Sequence, residues 1–151
     1  MATTTGTFNF YDALKKNIAN GAIDIDTDTL TVLLCTNSYV PDSASHEFVN
    51  NVTNEIVGNG YARMDLINRQ WVVSGGADGQ MKLDSNDPVF SAVGGSIVAR
   101  YWVLTDTQTG NDATSPLISW GLIDDAVADV TVTNGNNLTL TVNASGWFTL
   151  G

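Results

Sequence analysis

After Gly21 the chain carries strand-like patterning almost to its end, and this restricts its folds more than any other feature. Leu138-Thr139-Leu140-Thr141-Val142 alternates strictly between apolar and polar residues, so one face is buried and the other is wet. Leu30–Thr36 is a mostly apolar run suited to a buried strand. Further strand-like segments fall at Tyr61–Ile67, Gln70–Val73, Gln80–Leu83, Ile97–Leu104, Pro116–Ile123, Val127–Thr133 and Trp147–Leu150. Gly58-Asn59-Gly60, Ser74-Gly75-Gly76, Gly94-Gly95 and Asn134-Gly135-Asn136-Asn137 supply turns between them. Strand signals at this spacing predict a mainly β fold, a single-domain β-sandwich of jelly-roll-like character.

One helix precedes the strands. Phe10, Leu14 and Ile18 recur at a four-residue interval, and Tyr11 joins their face. Asn9 is placed to cap the start, and Gly21 to end it. The expected element is a short amphipathic helix over residues 9–20, inside a domain of residues 8–151. Residues 1–7, small and polar, are expected to form a flexible arm. Residues 37–58 make a long polar connection in which Ser45–Val52 has room for one or two helical turns. A connection of this length usually binds, docks or carries structure of its own.

The chain has 151 residues, enough to bury roughly 68–70% of its unfolded surface around one core. Its formal net charge is -10, from sixteen acidic and six basic residues. The basic residues are Lys15, Lys16, Arg63, Arg69, Lys82 and Arg100, and only Lys15 and Lys16 are adjacent. Phosphate backbones are bound by clustered cations, so nucleic acid is not an expected partner. Anionic membranes would repel the same surface. There is no signal peptide and no run near ~20 apolar residues. The chain is expected to be made in a cytoplasm and to stay soluble. Cys35 is the single cysteine and reads as a buried, inert thiol.

The search for chemistry yields little. In Asp24-Ile25-Asp26-Thr27-Asp28-Thr29 three aspartates alternate along the chain, which makes Asp24, Asp26 and Asp28 weak calcium candidates. An EF-hand loop needs Gly at position 6 and Glu at position 12. Counted from Asp24 those positions hold Thr29 and Cys35. The segment therefore reads first as the solvated end of the Leu30 strand. His46, the single histidine, sits among Ser43, Ser45 and Glu47 and makes no recognisable triad. One histidine and one cysteine cannot make a zinc site of the usual kind. A glycosidase needs only two carboxylates. Asp84 and Asp87 flank one turn, and Asp124, Asp125 and Asp129 flank another, but no pair is marked as buried. Trp102 and Trp120 lie inside apolar strands and read as core. Trp71 and Trp147 are the better surface anchors. Together with Phe8, Phe10 and Tyr11 they form the expected partner interface. No cofactor fingerprint is present, and the chain is expected not to be an enzyme.

Phe8-Asn9-Phe10-Tyr11-Asp12-Ala13-Leu14-Lys15-Lys16-Asn17-Ile18-Ala19-Asn20-Gly21-Ala22-Ile23-Asp24, with Asp26–Leu30 behind it, resembles a group of small tailed-bacteriophage virion proteins. Ser38-Tyr39-Val40-Pro41-Asp42, His46-Glu47-Phe48, Gly58-Asn59-Gly60-Tyr61, Arg100-Tyr101 and Ala113–Ile118 extend the likeness over most of the chain. The resemblance is one of texture and segment order and includes no shell-contact motif. It implies a non-enzymatic virion component on the capsid exterior, of the decoration or cement type. Such proteins are commonly small β modules that oligomerise as dimers or trimers over the major capsid protein. A tail or neck component is the nearest alternative. A carbohydrate-binding β-sandwich is the next, and a two-acid glycan hydrolase the third.

Overall fold

A computed structural model describes residues 1–73 and 80–151 of the chain. The fold is mainly β, with one short helix and several sheets. Its centre is a five-stranded antiparallel sheet. In spatial order the strands are β2 (Phe8–Phe10), β10 (Leu117–Leu122), β9 (Tyr101–Asp106), β3 (Leu30–Cys35) and β4 (Met64–Asp65). β3 and β9 pair along their full length, from Leu30 opposite Asp106 to Cys35 opposite Tyr101.

This sheet is buried on both faces, which explains its composition. Side chains alternate across a strand. Leu30, Val32, Leu34, Trp102, Leu104 and Ile118 point into the larger core. Leu33, Cys35, Val103 and Leu117 point into a second cluster with Tyr11, Tyr39 and Val49. A strand wet on one face would have spaced its apolar residues by two. Here both faces are covered, and the runs are nearly continuous.

The larger core is closed by three short sheets, giving the layering of a β-sandwich. One sheet orders β1 (Ala2–Thr4), β12 (Asn137–Thr141) and β7 (Val89–Ser91). Another joins β8 (Ile97–Ala99) to β11 (Val130–Val132), and the last orders β13 (Phe148–Leu150), β6 (Met81–Asp84) and β5 (Gln70–Val73). On the opposite face lie the 37–52 connection and the residues leading into the helix. Tyr11 Oη and Tyr39 Oη are 2.8 Å apart, and Tyr39 Oη lies 3.1 Å from His46 Nδ1. Val49–Asn51 forms a single 3-10 turn, the only part of Ser45–Val52 that is helical.

Several expectations change. The anticipated free arm of residues 1–7 is paired: Ala2, Thr3 and Thr4 lie parallel to Thr139, Leu140 and Thr141. Thr5 is buried, and its N–H donates to Thr141 O at 2.8 Å. A threonine-rich extended segment suits a ladder, and the open edge of β12 supplies one. The helix runs over Ala13–Ala19, not 9–20. Phe8–Phe10 is strand, because it pairs with Gly121, Trp120 and Ser119. Asn9 therefore caps nothing. With Phe10 outside the helix the buried face turns: Leu14 and Asn17 are covered, and Ile18 is exposed. The expected Ile97–Leu104 strand breaks at Arg100, where the chain passes from the β8–β11 sheet into the central one. The predicted turn at Ser74-Gly75-Gly76 lies outside the described residues.

Cys35 is fully buried between sheet and connection, and burial pushes its thiol well above the ordinary range. Because the thiolate is the reactive species, an aromatic disulfide reagent should leave the native thiol unmodified and label it on unfolding. Rapid labelling of the folded protein would refute this burial.

Candidate docking surface

The β13–β6–β5 sheet carries the surface best suited to a partner. Trp71, Leu83 and Phe148 lie opposite one another in its register. Leu83 and Phe148 are fully buried and Trp71 is half-buried. Two residues further along, Met81 and Leu150 are paired and project from the same face. Leu150 is half-buried against the larger core, and Met81 is 39% exposed. Among the described residues, the apolar face thus continues to a partly open edge at Met81. An open cavity of about 530 Å³ forms there, lined by Asp26, Trp71, Met81, Leu150 and Gly151.

An aromatic row leads to it. Phe8 and Phe10 have ring centres 5.2 Å apart, Phe10 and Phe148 5.5 Å, and Phe148 and Trp71 5.7 Å. Phe8, Phe10 and Trp71, three of the expected interface residues, are half-buried against the larger core, and of the three Trp71 lines the cavity. The remaining two do not join it. Tyr11 is fully buried beneath the 37–52 connection. Trp147 is fully buried against Trp102, their rings 5.2 Å apart and edge to face, and its Nε1–H donates to Ser85 Oγ at 2.9 Å. Both are structural residues. Met81 and Leu150 were missed as surface candidates. Their signal was the two-residue step from Leu83 and Phe148, which put them on the same pleat.

Asp26 enters this surface from a turn. The chain at 24–28 is coiled, not extended as a strand end would be, with Asp28 N–H donating to Asp24 O at 2.9 Å. Asp24 Oδ1 accepts from the N–H groups of Asp26 and Thr27, and Asp28 Oδ2 accepts from Asp24 N–H at 2.7 Å. The Thr27 side chain, with the Asp26 and Thr27 N–H groups, holds the Asp24 carboxyl below its usual range. Arg69 clamps the turn from outside, donating to the carbonyls of Ile25 and Asp26 at 3.0 and 3.3 Å. Asp24 and Asp28 thus serve backbone donors, and among the described residues no three carboxylate, histidine or cysteine side chains are grouped to hold a metal.

The other candidate acids are similarly engaged. Asp125 accepts from Thr7 N–H, Asp124 from Ala126 N–H, and Asp87 from Val142 N–H. Asp84 accepts from Ser85 N–H and lies 3.4 Å from Lys82 Nζ. Asp129 accepts from Asn37 and Arg100.

Lys16 pairs with Glu47, Arg63 with both Glu55 and Asp112, and Arg100 with Asp129. With Lys82 and Arg69 also engaged on their own chain, the charge presented outward is predominantly negative. No described helix is long and apolar enough to cross a membrane.

No protein-family model, curated protein or solved structure matches the chain.

Proposed function

We propose that this chain is a non-enzymatic structural protein of a tailed-phage virion, which binds the exterior of the assembled capsid and stabilises it. The observation that carries this reading is the apolar sheet face ending at Trp71, Met81 and Leu150, a surface with an aromatic anchor and few polar groups. Interface centres have this composition, with aromatic residues and methionine enriched and charge depleted. The sequence resemblance supplies the virion context. The acidic surface supports a position away from packaged DNA. A component that binds only the assembled shell shifts assembly toward that state. Its partners are then the major capsid protein and further copies of itself, as a dimer or trimer.

A sugar-binding reading draws on Trp71 beside Asp26. Sugars need several hydrogen-bonding groups around an aromatic platform, and Met81, Leu150 and Gly151 supply no polar side chain. The protein-docking reading fits this lining better.

Density-gradient fractionation of intact and tail-less particles, with this chain quantified in each, is the direct test. Many copies on tail-less, DNA-filled heads are expected. Enrichment only where tails are present would move the chain to the tail or neck, and absence from every particle would sink the virion reading. Met81→Lys should fold normally and lose roughly 30-fold or more in head binding, the loss expected of an interface hot spot. Unchanged binding would remove this face from the contact.

A further inference from the structure

Asp106 ends β9, facing Leu30 across the ladder, and is 2% exposed. Its Oδ1 accepts Gln108 N–H at 2.8 Å. Its Oδ2 is buried and meets no donor among the described residues. The β3–β9 pairing brings the end of the 24–28 turn beside it, and Asp28 is the acidic group there that acts on it. The approach is built into the backbone. Thr107 N–H donates to Thr29 O at 2.8 Å, and Thr29 N–H donates to Gln108 Oε1 at 3.1 Å. Gln108 thereby holds Asp106 through its N–H and the end of the 24–28 turn through its side chain.

Two ionised carboxylates are acceptors only. Set face to face with one of them buried, they repel, and the buried one lacks solvation. One proton resolves both problems. We propose that Asp28 and Asp106 share a single proton, in an acid–carboxylate hydrogen bond that latches the 24–28 turn onto the end of β9 and releases it when the proton is lost. Asp26, in the same turn, lines the open cavity, so the latch also sets the cavity wall. The inference stands whatever the chain binds.

The surrounding charges are few. Asp24 and Asp26 belong to the turn, and Arg69 lies against its carbonyls. Asp65 on β4 approaches through Thr31, whose Oγ1 lies 2.6 Å from both Asp65 Oδ1 and Thr107 Oγ1. Burial, reinforced by Asp28, pushes the Asp106 carboxyl up to about 7, against the opposing pull of Gln108 N–H and Arg69. A raised folded-state value means that the native state binds a proton that the unfolded chain releases. The stabilisation is complete below the ordinary aspartate range and disappears as pH rises through about 7.

Denaturant unfolding of the wild type, Asp106→Asn and Asp28→Asn across this window, in chelator, tests the latch. The wild-type folding constant should fall by up to about tenfold per pH unit between about pH 4 and 7, relative to either variant. Asp106→Asn removes the titrating carboxyl and should lose this slope, while Asp28→Asn replaces the neighbouring carboxyl with a donor but leaves Asp106 buried, so it should lessen the slope. Asp28→Asn sits on the half-buried partner and gives the answer even if Asp106→Asn fails to fold. Equal slopes in the wild type and Asp28→Asn would overturn the proposal. So would calcium or magnesium restoring wild-type stability at alkaline pH, since the pair would then hold a cation.

Discussion

Replacing Trp147 with alanine is expected to destabilise the fold by roughly 3–5 kcal/mol, the range for deleting a buried aromatic side chain. The indole is fully buried and packs edge to face on Trp102. Its removal opens a cavity at the centre of the larger core and leaves Ser85 Oγ without its donor. In a domain of this size that loss corresponds to a melting-temperature drop of about 6–20 °C. Thermal unfolding followed by circular dichroism measures it directly. Trp147→Phe keeps the ring packing and loses only the N–H, so it should recover most of the stability. A surface anchor would behave in the opposite way, with unchanged melting and weakened binding. A Trp147→Ala protein that melts within a degree or two of wild type would contradict the packing described here.

Gly121→Ala should also destabilise, by about 1–3 kcal/mol, although strand propensity alone predicts a gain. Gly121 lies opposite Trp102 in the β9–β10 register. A Cβ there would stand 2.7 Å from Trp102 Cζ2 and 2.8 Å from Cε2 and Nε1. Trp102 is fully buried, with Trp147 against it, and has little room to move. Propensity and packing thus predict opposite signs. A lower denaturation midpoint, with altered near-ultraviolet dichroism from the displaced indole, is the expected result. A higher midpoint would show that the core yields at this position.

Central strands were the most legible part of the sequence, because a sheet covered on both faces prints long apolar runs such as Leu30–Cys35 and Tyr101–Leu104. The Leu138–Val142 alternation was legible for the complementary reason, a sheet with one wet face. Ala2–Thr4, Phe8–Phe10 and Val89–Ser91 were not legible as strands. Each is short and held by distant residues, and Phe10 fits a four-residue helical spacing as well as it fits a strand. Its pairing with Ser119 decided the matter. Residue type did not distinguish Trp71 from Trp147. Both follow strand-like patterns, and their burial depends on how far the neighbouring layer reaches over each. The approach of the 24–28 turn to the end of β9 was equally hidden, since it requires the β3–β9 register.

The parallel pairing of Ala2–Thr4 with Thr139–Thr141, and the antiparallel pairing of Phe8–Phe10 with Ser119–Gly121, bear on how the chain is made. A ribosome releases the first segments long before their partners exist. Neither β1 nor β2 can take its place until nearly the whole polypeptide has emerged. The aromatic rings of Phe8 and Phe10 therefore remain without their core throughout synthesis, and the finished sheets depend on contacts of large sequence separation, which form slowly. Newly made chains pass through a window of uncovered aromatic surface, in which crowding with identical copies on one polysome favours aggregation over folding.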